Sequence, residues 1–258
     1  MIIYSHGLWL MMKYNSEKES VPAASLPTLE DFVVLEDITC VDAQGSVFEH
    51  YEVIMVKKDI FRNGQGRQLY FAPYYAALHC EERMLFLPSF ALSCNILVAL
   101  YRMRDQNSEV DKMLMQYRDL DAGYRWPVQN TVINCHTEKI IHYPEASDFG
   151  QALPVNHHRQ RTVRTFSKAT LGDCLLEEAL KDEKHARFVK NVTGLRDPSI
   201  LVDIAKSFNK AAKIEFPFDG KSNKDTYPQW LSCVGSGFYL DTRPGLYNLN
   251  TVRGVREL

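Results

Sequence analysis

Residues 90–103 (FALSCNILVALYRM) are apolar almost all the way round a helical wheel. A helix of that kind cannot lie on a surface and needs other elements packed on every side of it. The fold must therefore be built around one buried helix, opened by Pro88-Ser89, and the chain on either side has to supply its cover.

Upstream, residues 32–35 (FVVL) and 48–56 (FEHYEVIMV) read as strands. Ala43-Gln44-Gly45-Ser46 is a turn between them, which makes a hairpin. Residues 61–68 (FRNGQGRQ) are a glycine-rich loop, and 73–85 a helix candidate with proline in its first turn. Downstream, Ser108 opens a second helix, with Asp111 three residues on as in a capping box. Val110, Met113, Leu114, Tyr117 and Leu120 fall on one face of it, and Gly123 suits its end. Two helices joined at Arg104 to Asn107 pack as a hairpin.

Residues 130–144 read as two strands around His136-Thr137-Glu138, and 145–168 as a polar loop. Helices follow at 170–181 and 182–192, with Gly194 as a stop. Asp197-Pro198 starts another, whose buried face is Ile200, Leu201, Ile204, Ala205 and Phe208. Ala212, Ile214 and Phe216 alternate with polar residues as a half-buried strand. Short strand-like pieces then occupy 229–233, 237–241, 246–249 and 251–256. Regular β-α alternation is absent, so the expected class is α+β rather than a doubly wound parallel sheet. The expected organisation is a flexible N-terminus (1–28), a strand-helix region (29–128) and a mixed region (129–258), the last two separate or continuous.

The first twelve residues are apolar but too few to cross a bilayer. They carry no leading Lys or Arg, as a signal peptide would. A cytoplasmic protein without membrane attachment is expected, with Met11 or Met12 as alternative starts. Thirty Lys+Arg against thirty-two Asp+Glu give a net charge of −2, which argues against a bulk affinity for nucleic acid. The six cysteines are scattered with no CxxC and are expected to be reduced thiols.

Asn63-Gly64-Gln65-Gly66 and Gly235-Ser236-Gly237 lack the third glycine and the strand-then-helix setting of a phosphate loop. Cys135, His136 and His142 offer at most two ligands on one face, where a zinc site needs three or four. No cofactor is expected. His157-His158-Arg159-Gln160-Arg161-Thr162-Val163-Arg164 is the one charge cluster, with a solvated loop the favoured reading.

The C-terminal residues YPQWLSCVGSGFYLDTRPGLYNLNTVRGVREL, from Tyr227, place a tryptophan strand before a small-residue turn, then Gly-Phe-Tyr-Leu and a final Arg-Gly-Val-Arg. This resembles the closing segment of the C-type-lectin-like fold in the formylglycine-generating-enzyme group and the retroelement-diversified variable proteins. The matching positions are Trp230, Gly237, Phe238, Leu240, Arg253, Val255 and Arg256. The catalytic signature of the sulfatase-modifying branch and the calcium motifs of sugar-binding lectins have no counterpart here, so neither activity is implied. The resemblance implies a scaffold whose intervening residues face a protein or small-molecule ligand. Those residues are Ser236, Tyr239, Asp241, Arg243, Tyr247, Asn248 and Asn250, types that adaptable binding surfaces favour. The expected function is ligand or protein binding. The alternatives are a hydrolase-like enzyme using Cys and His residues, with His136, His142 and the 157–164 cluster as its best form, and a structural interaction subunit.

Overall fold

The computed structural model describes residues 27–61, 76, 79–118, 130–134, 137–143, 161–166, 174–215, 226–228, 230–234, 237–241 and 253–257, with 215, 226–228, 230–234 and 241 described by their backbone. The buried helix, α1 (Phe90–Met103), is at the centre. Ser89 caps it, its Oγ accepting from Leu92 N at 3.0 Å. Eight of its residues are buried, among them Phe90, Leu92, Leu97 and Leu100. One turn later α2 (Ser108–Arg118) packs back on it through Val110, Met113, Leu114 and Tyr117.

The hairpin covers another side of α1. β1 (Phe32–Val41) and β2 (Val47–Lys57) pair antiparallel from Phe32↔Lys57 to Val41↔Val47. Val33, Leu35, Ile54 and Val56 point into the core, as alternation along paired strands requires. The last strand, β11 (Val255–Glu257), returns to the free edge of β2 and makes a three-stranded sheet in the order β1-β2-β11. Arg253 fixes that return. Its buried guanidinium donates to the carbonyls of Lys57 (3.0 Å) and Lys58 (2.9 Å) and to Gln116 Oε1 (2.5 Å).

The second sheet holds β3 (Thr131–Asn134), β4 (Lys139–His142), β5 (Thr162–Thr165) and β8 (Thr226–Pro228), in the order β5-β4-β3-β8. β5 lies inside the segment expected to be a loop. Its polar residues disguise it, but Thr162 and Val163 are β-branched, and β4 supplies the register Lys139↔Thr165 to His142↔Thr162.

The third sheet, in the order β6-β7-β10-β9, comprises β6 (Cys174–Leu175), β7 (Ala211–Glu215), β9 (Trp230–Val234) and β10 (Gly237–Asp241). β10 runs parallel to β7 and antiparallel to β9. Of the helix expected over 170–181, residues 170–173 lie outside the described residues; within the rest only α3 (Leu176–Ala179) is helical, because Cys174 and Leu175 are drawn into pairing with Ile214 and Lys213. Next comes α4 (Glu183–Thr193), which begins at Asp182, whose carboxylate accepts from His185 N at 3.0 Å. It ends at Gly194, left-handed at φ 63°. α5 (Ile200–Ser207) follows a turn in which Asp197 accepts from the amide and hydroxyl of Ser199.

One apolar cluster takes in Val33 and Ile54 of the hairpin, α1, Ile133 and Ile140, Val189 and Val192, Leu201 and Ile204, and Phe238. Its residues come from both sides of position 128. Helices and antiparallel or mixed sheets together make this an α+β fold. Among the described residues no helix is long and apolar enough to cross a membrane.

Candidate functional site

The third sheet has two unlike faces. On one, Phe238 and Leu240 of β10 are fully buried beside their register partners Ala212 and Ile214, and Phe208 of α5 meets the Phe238 ring at 6.4 Å. Tyr239 stands between them in sequence and so belongs to the other face. It is half-buried, with the ammonium of its partner Lys213 5.4 Å from its ring centre. Beyond Lys213 in the same row lies Leu175, 38% exposed.

Gly237 explains how the ring is seated. A Cβ added there would come 2.2 Å from Cε2 of Tyr239. The ring therefore folds back along the strand over the glycine, as flat amphipathic surface beside a cation. Such a ring can take an apolar or aromatic contact on its body and a hydrogen bond at its hydroxyl.

Asp241, another expected contact residue, ends β10 opposite Glu215 and Trp230. Arg243, Tyr247, Asn248 and Asn250, like Ser236, lie outside the described residues.

His142, a candidate ligand or catalytic base by sequence, is part of the core. It closes β4 opposite Thr131, fully buried. Its Nδ1 is 2.9 Å from Thr131 Oγ1 and its Nε2 is 3.1 Å from the carbonyl of Asn191. Thr131 Oγ1 also accepts from Phe90 N at 2.8 Å, so its hydroxyl hydrogen is free to point at Nδ1. These bonds assign the neutral ring with its proton on Nε2. Phe48 stacks on the imidazole at 5.2 Å, and the Arg164 guanidinium lies over Phe48 at 4.7 Å.

Burial, with a smaller push from the Arg164 charge, lowers the His142 pKa to about 4, against the pull of the Asn191 carbonyl. Both nitrogens are engaged, so neither is open to a metal or a substrate proton. Arg164, the last residue of the charge cluster, is no solvated side chain: its Nε lies 3.4 Å from Asp42 Oδ2. His136 and residues 157–160 lie outside the described residues.

A second polar group escaped the sequence reading. Glu49, half-buried on β2, accepts from Tyr51 OH at 2.7 Å, from Ser89 Oγ at 3.1 Å and from Tyr143 OH. Tyr143 reaches it from the end of β4 with a left-handed backbone, φ 54°, a conformation a bulky residue adopts only when its surroundings impose it. The donors come from positions 2, 40 and 94 residues away, and no local pattern encodes such a convergence.

The thiols of Cys40, Cys80 and Cys94 are buried, and burial pushes the pKa of each upward, with the Glu49 charge adding to the effect at Cys40. Thiols in that setting are inert as nucleophiles. A cleft of about 200 Å³ opens between Phe166 and α4, lined also by Glu183, Lys184, Arg187 and Phe188. It is smaller than the roughly 300–1,000 Å³ of ordinary ligand pockets, and neither His142 nor Glu49 lines it.

No protein-family model, curated protein or solved structure matches the chain.

Proposed function

We propose that the protein is a binding protein that recognises a protein or small-molecule ligand through its C-terminal region, acting in the cytoplasm. The observation that carries this reading is the two-faced third sheet. Phe238 and Leu240 anchor β10 in the core, while Tyr239 and Lys213 are left partly open on a rigid strand pair. A site on strands fixes its side chains before the ligand arrives, so little freedom is lost on binding. The buried thiols and the fully engaged His142 leave the Cys/His hydrolase reading without support from those residues. In this reading the C-terminal strands are a C-type-lectin-like scaffold, and Arg243, Tyr247, Asn248 and Asn250 belong to the same recognition surface as Tyr239 and Asp241.

The test is quantitative capture from host extract by the wild type and by Lys213→Ala, Arg243→Ala and Tyr247→Ala, each melted in parallel. Hot-spot truncations cost about 1–2 kcal/mol or more, so each variant should retain its partners at least about five-fold less well with an unchanged melt. Equal capture by all three would show that these residues are bystanders.

A further inference from the structure

Among the described residues the three sheets present six edge strands, and five of them are short or carry a feature that discourages pairing. β1 is long but carries exposed Glu36 and Asp37, and Asp37 breaks its regularity at φ 52°. β6 has two residues, and β11 has three, with Val255 already bridged to Phe86 on its outer side. β5 is four residues long and bears Arg164. β8 is three residues long and ends in Pro228. Charge, proline, irregularity and shortness are the means by which edge strands avoid other chains.

β9 has none of these. Its five residues, WLSCV, include no charge and no proline, and its register with β10 runs unbroken from Trp230↔Asp241 to Val234↔Gly237. Among the described residues it pairs with β10 alone.

We propose that β9 pairs antiparallel with β9 of a second copy of this chain, about a two-fold axis at Ser232, joining two four-stranded sheets into one of eight strands. The occupant is a second copy because the strand is complementary to itself. Pairing centred on Ser232 sets Trp230 opposite Val234 and Leu231 opposite Cys233, so a small residue meets itself on the axis and no like charges face each other. Residues directly opposite in an antiparallel pair share a face. Leu231 and Cys233 are the register partners of Leu240 and Phe238, both fully buried. The apolar face of the sheet is therefore continued across the join. A two-fold interface of this kind closes on itself and stops at a dimer.

The join also gives the recognition face a second half. Each Tyr239 would sit one strand in from β9, so the two lie three strand spacings apart, roughly 14 Å. That consequence rests on the binding reading above; the pairing itself does not, and Tyr239→Ala should leave the dimer intact.

Sedimentation velocity of the full chain should give twice the monomer mass at high concentration and dissociation on dilution. Ser232→Lys sets two ammonium groups opposite each other in the dimer alone, so it should abolish the dimer and leave the thermal melt of the monomer unchanged. Ser232→Cys, made together with Cys233→Ser, should yield a dimer that is covalent after mild oxidation and released by reductant. A wild type that is monomeric at every concentration overturns the proposal. So does a dimer that Ser232→Cys fails to cross-link, since it must use another surface. If Ser232→Lys fails to fold, the cross-link decides alone.

Discussion

Acidification should unfold this protein through His142 before its exposed carboxylates are fully titrated. In the folded state the imidazole titrates at about 4, against an ordinary value of 6.5. Between those values the unfolded chain holds a proton on this residue that the folded chain does not. Stability therefore rises with pH across the window: the full contribution is present above 6.5 and is lost as pH falls towards 4. At about 1.4 kcal/mol per pH unit, the loss is about 2 kcal/mol by pH 5 and about 3 kcal/mol by pH 4. For a chain of this length about 1 kcal/mol moves Tm by about 2–4 °C, so a fall in Tm of roughly 6–12 °C is expected.

The carboxyls of Asp182 and Asp197, held below their usual range by hydrogen bonds, add to acid sensitivity and must be separated from His142. His142→Asn removes the titration and leaves those carboxyls in place. Urea denaturation of both proteins from pH 4 to 8 should show the variant less stable at pH 7 but with a flatter profile below 6.5. Nitrogen-15 NMR of the ring at pH 7 should report the proton on Nε2. Parallel pH profiles for the two proteins, or a ring already protonated near pH 6, would refute the argument.

Two further substitutions probe the packing around α1. Glu49→Gln keeps the shape but sets an amide among three hydroxyl donors; a loss of about 2 kcal/mol in urea denaturation is expected, in line with bonds to a charged acceptor, and a change under about 0.5 kcal/mol would make the cluster incidental. Gly194→Ala should cost about 2–4 kcal/mol in the same assay, because φ is 63° and the new Cβ would lie 2.7 Å from Ala91 Cβ and 3.1 Å from Cys40 Cβ; a near-neutral result would mean that α4 can shift away from α1 and β1.

The parts legible in the sequence are those whose signal is local. α1 announces itself by apolarity on all sides with a serine in front, and α4 is bracketed by a capping aspartate and a left-handed glycine. The β1–β2 hairpin follows from alternation around Gly45. The parts that were missed depend on partners. β5 looks like a loop because two of its four residues are threonine and one is arginine; pairing with the edge of β4 makes it a strand, and the Phe48 ring under Arg164 and the Asn191 amide on Thr165 O hold it there. β8 and β9 are separated by Gln229 alone, yet one pairs with β3 and the other with β10, a division no periodicity can express. The exposed side of the third sheet was legible in part. Alternation puts Tyr239 on the face opposite Phe238, but Lys213 and Leu175 join it from 26 and 64 residues upstream.

Apolar packing alone leaves open how three small sheets are set around one helix, since many arrangements bury similar area. Directional bonds at the N-terminal end of α1 remove that freedom. Asn130 N donates to Pro88 O, Phe90 N to Thr131 Oγ1, and Ser89 Oγ to Glu49, which ties the β3–β4 hairpin and β2 to the first turn of the helix. Asn191, buried on α4, closes the circle with its side-chain amide and its backbone carbonyl. Its Oδ1 accepts from Ala43 N in the β1–β2 turn, its Nδ2 donates to Thr165 O on β5, and its carbonyl accepts from His142. Each bond is worth only about 1 kcal/mol net, but a buried group left without its partner costs about 1–3 kcal/mol. A rearranged packing would break several together. The polar residues around α1 thus act chiefly against alternative folds, and this explains why the histidine that looked most like chemistry in the sequence is buried among them.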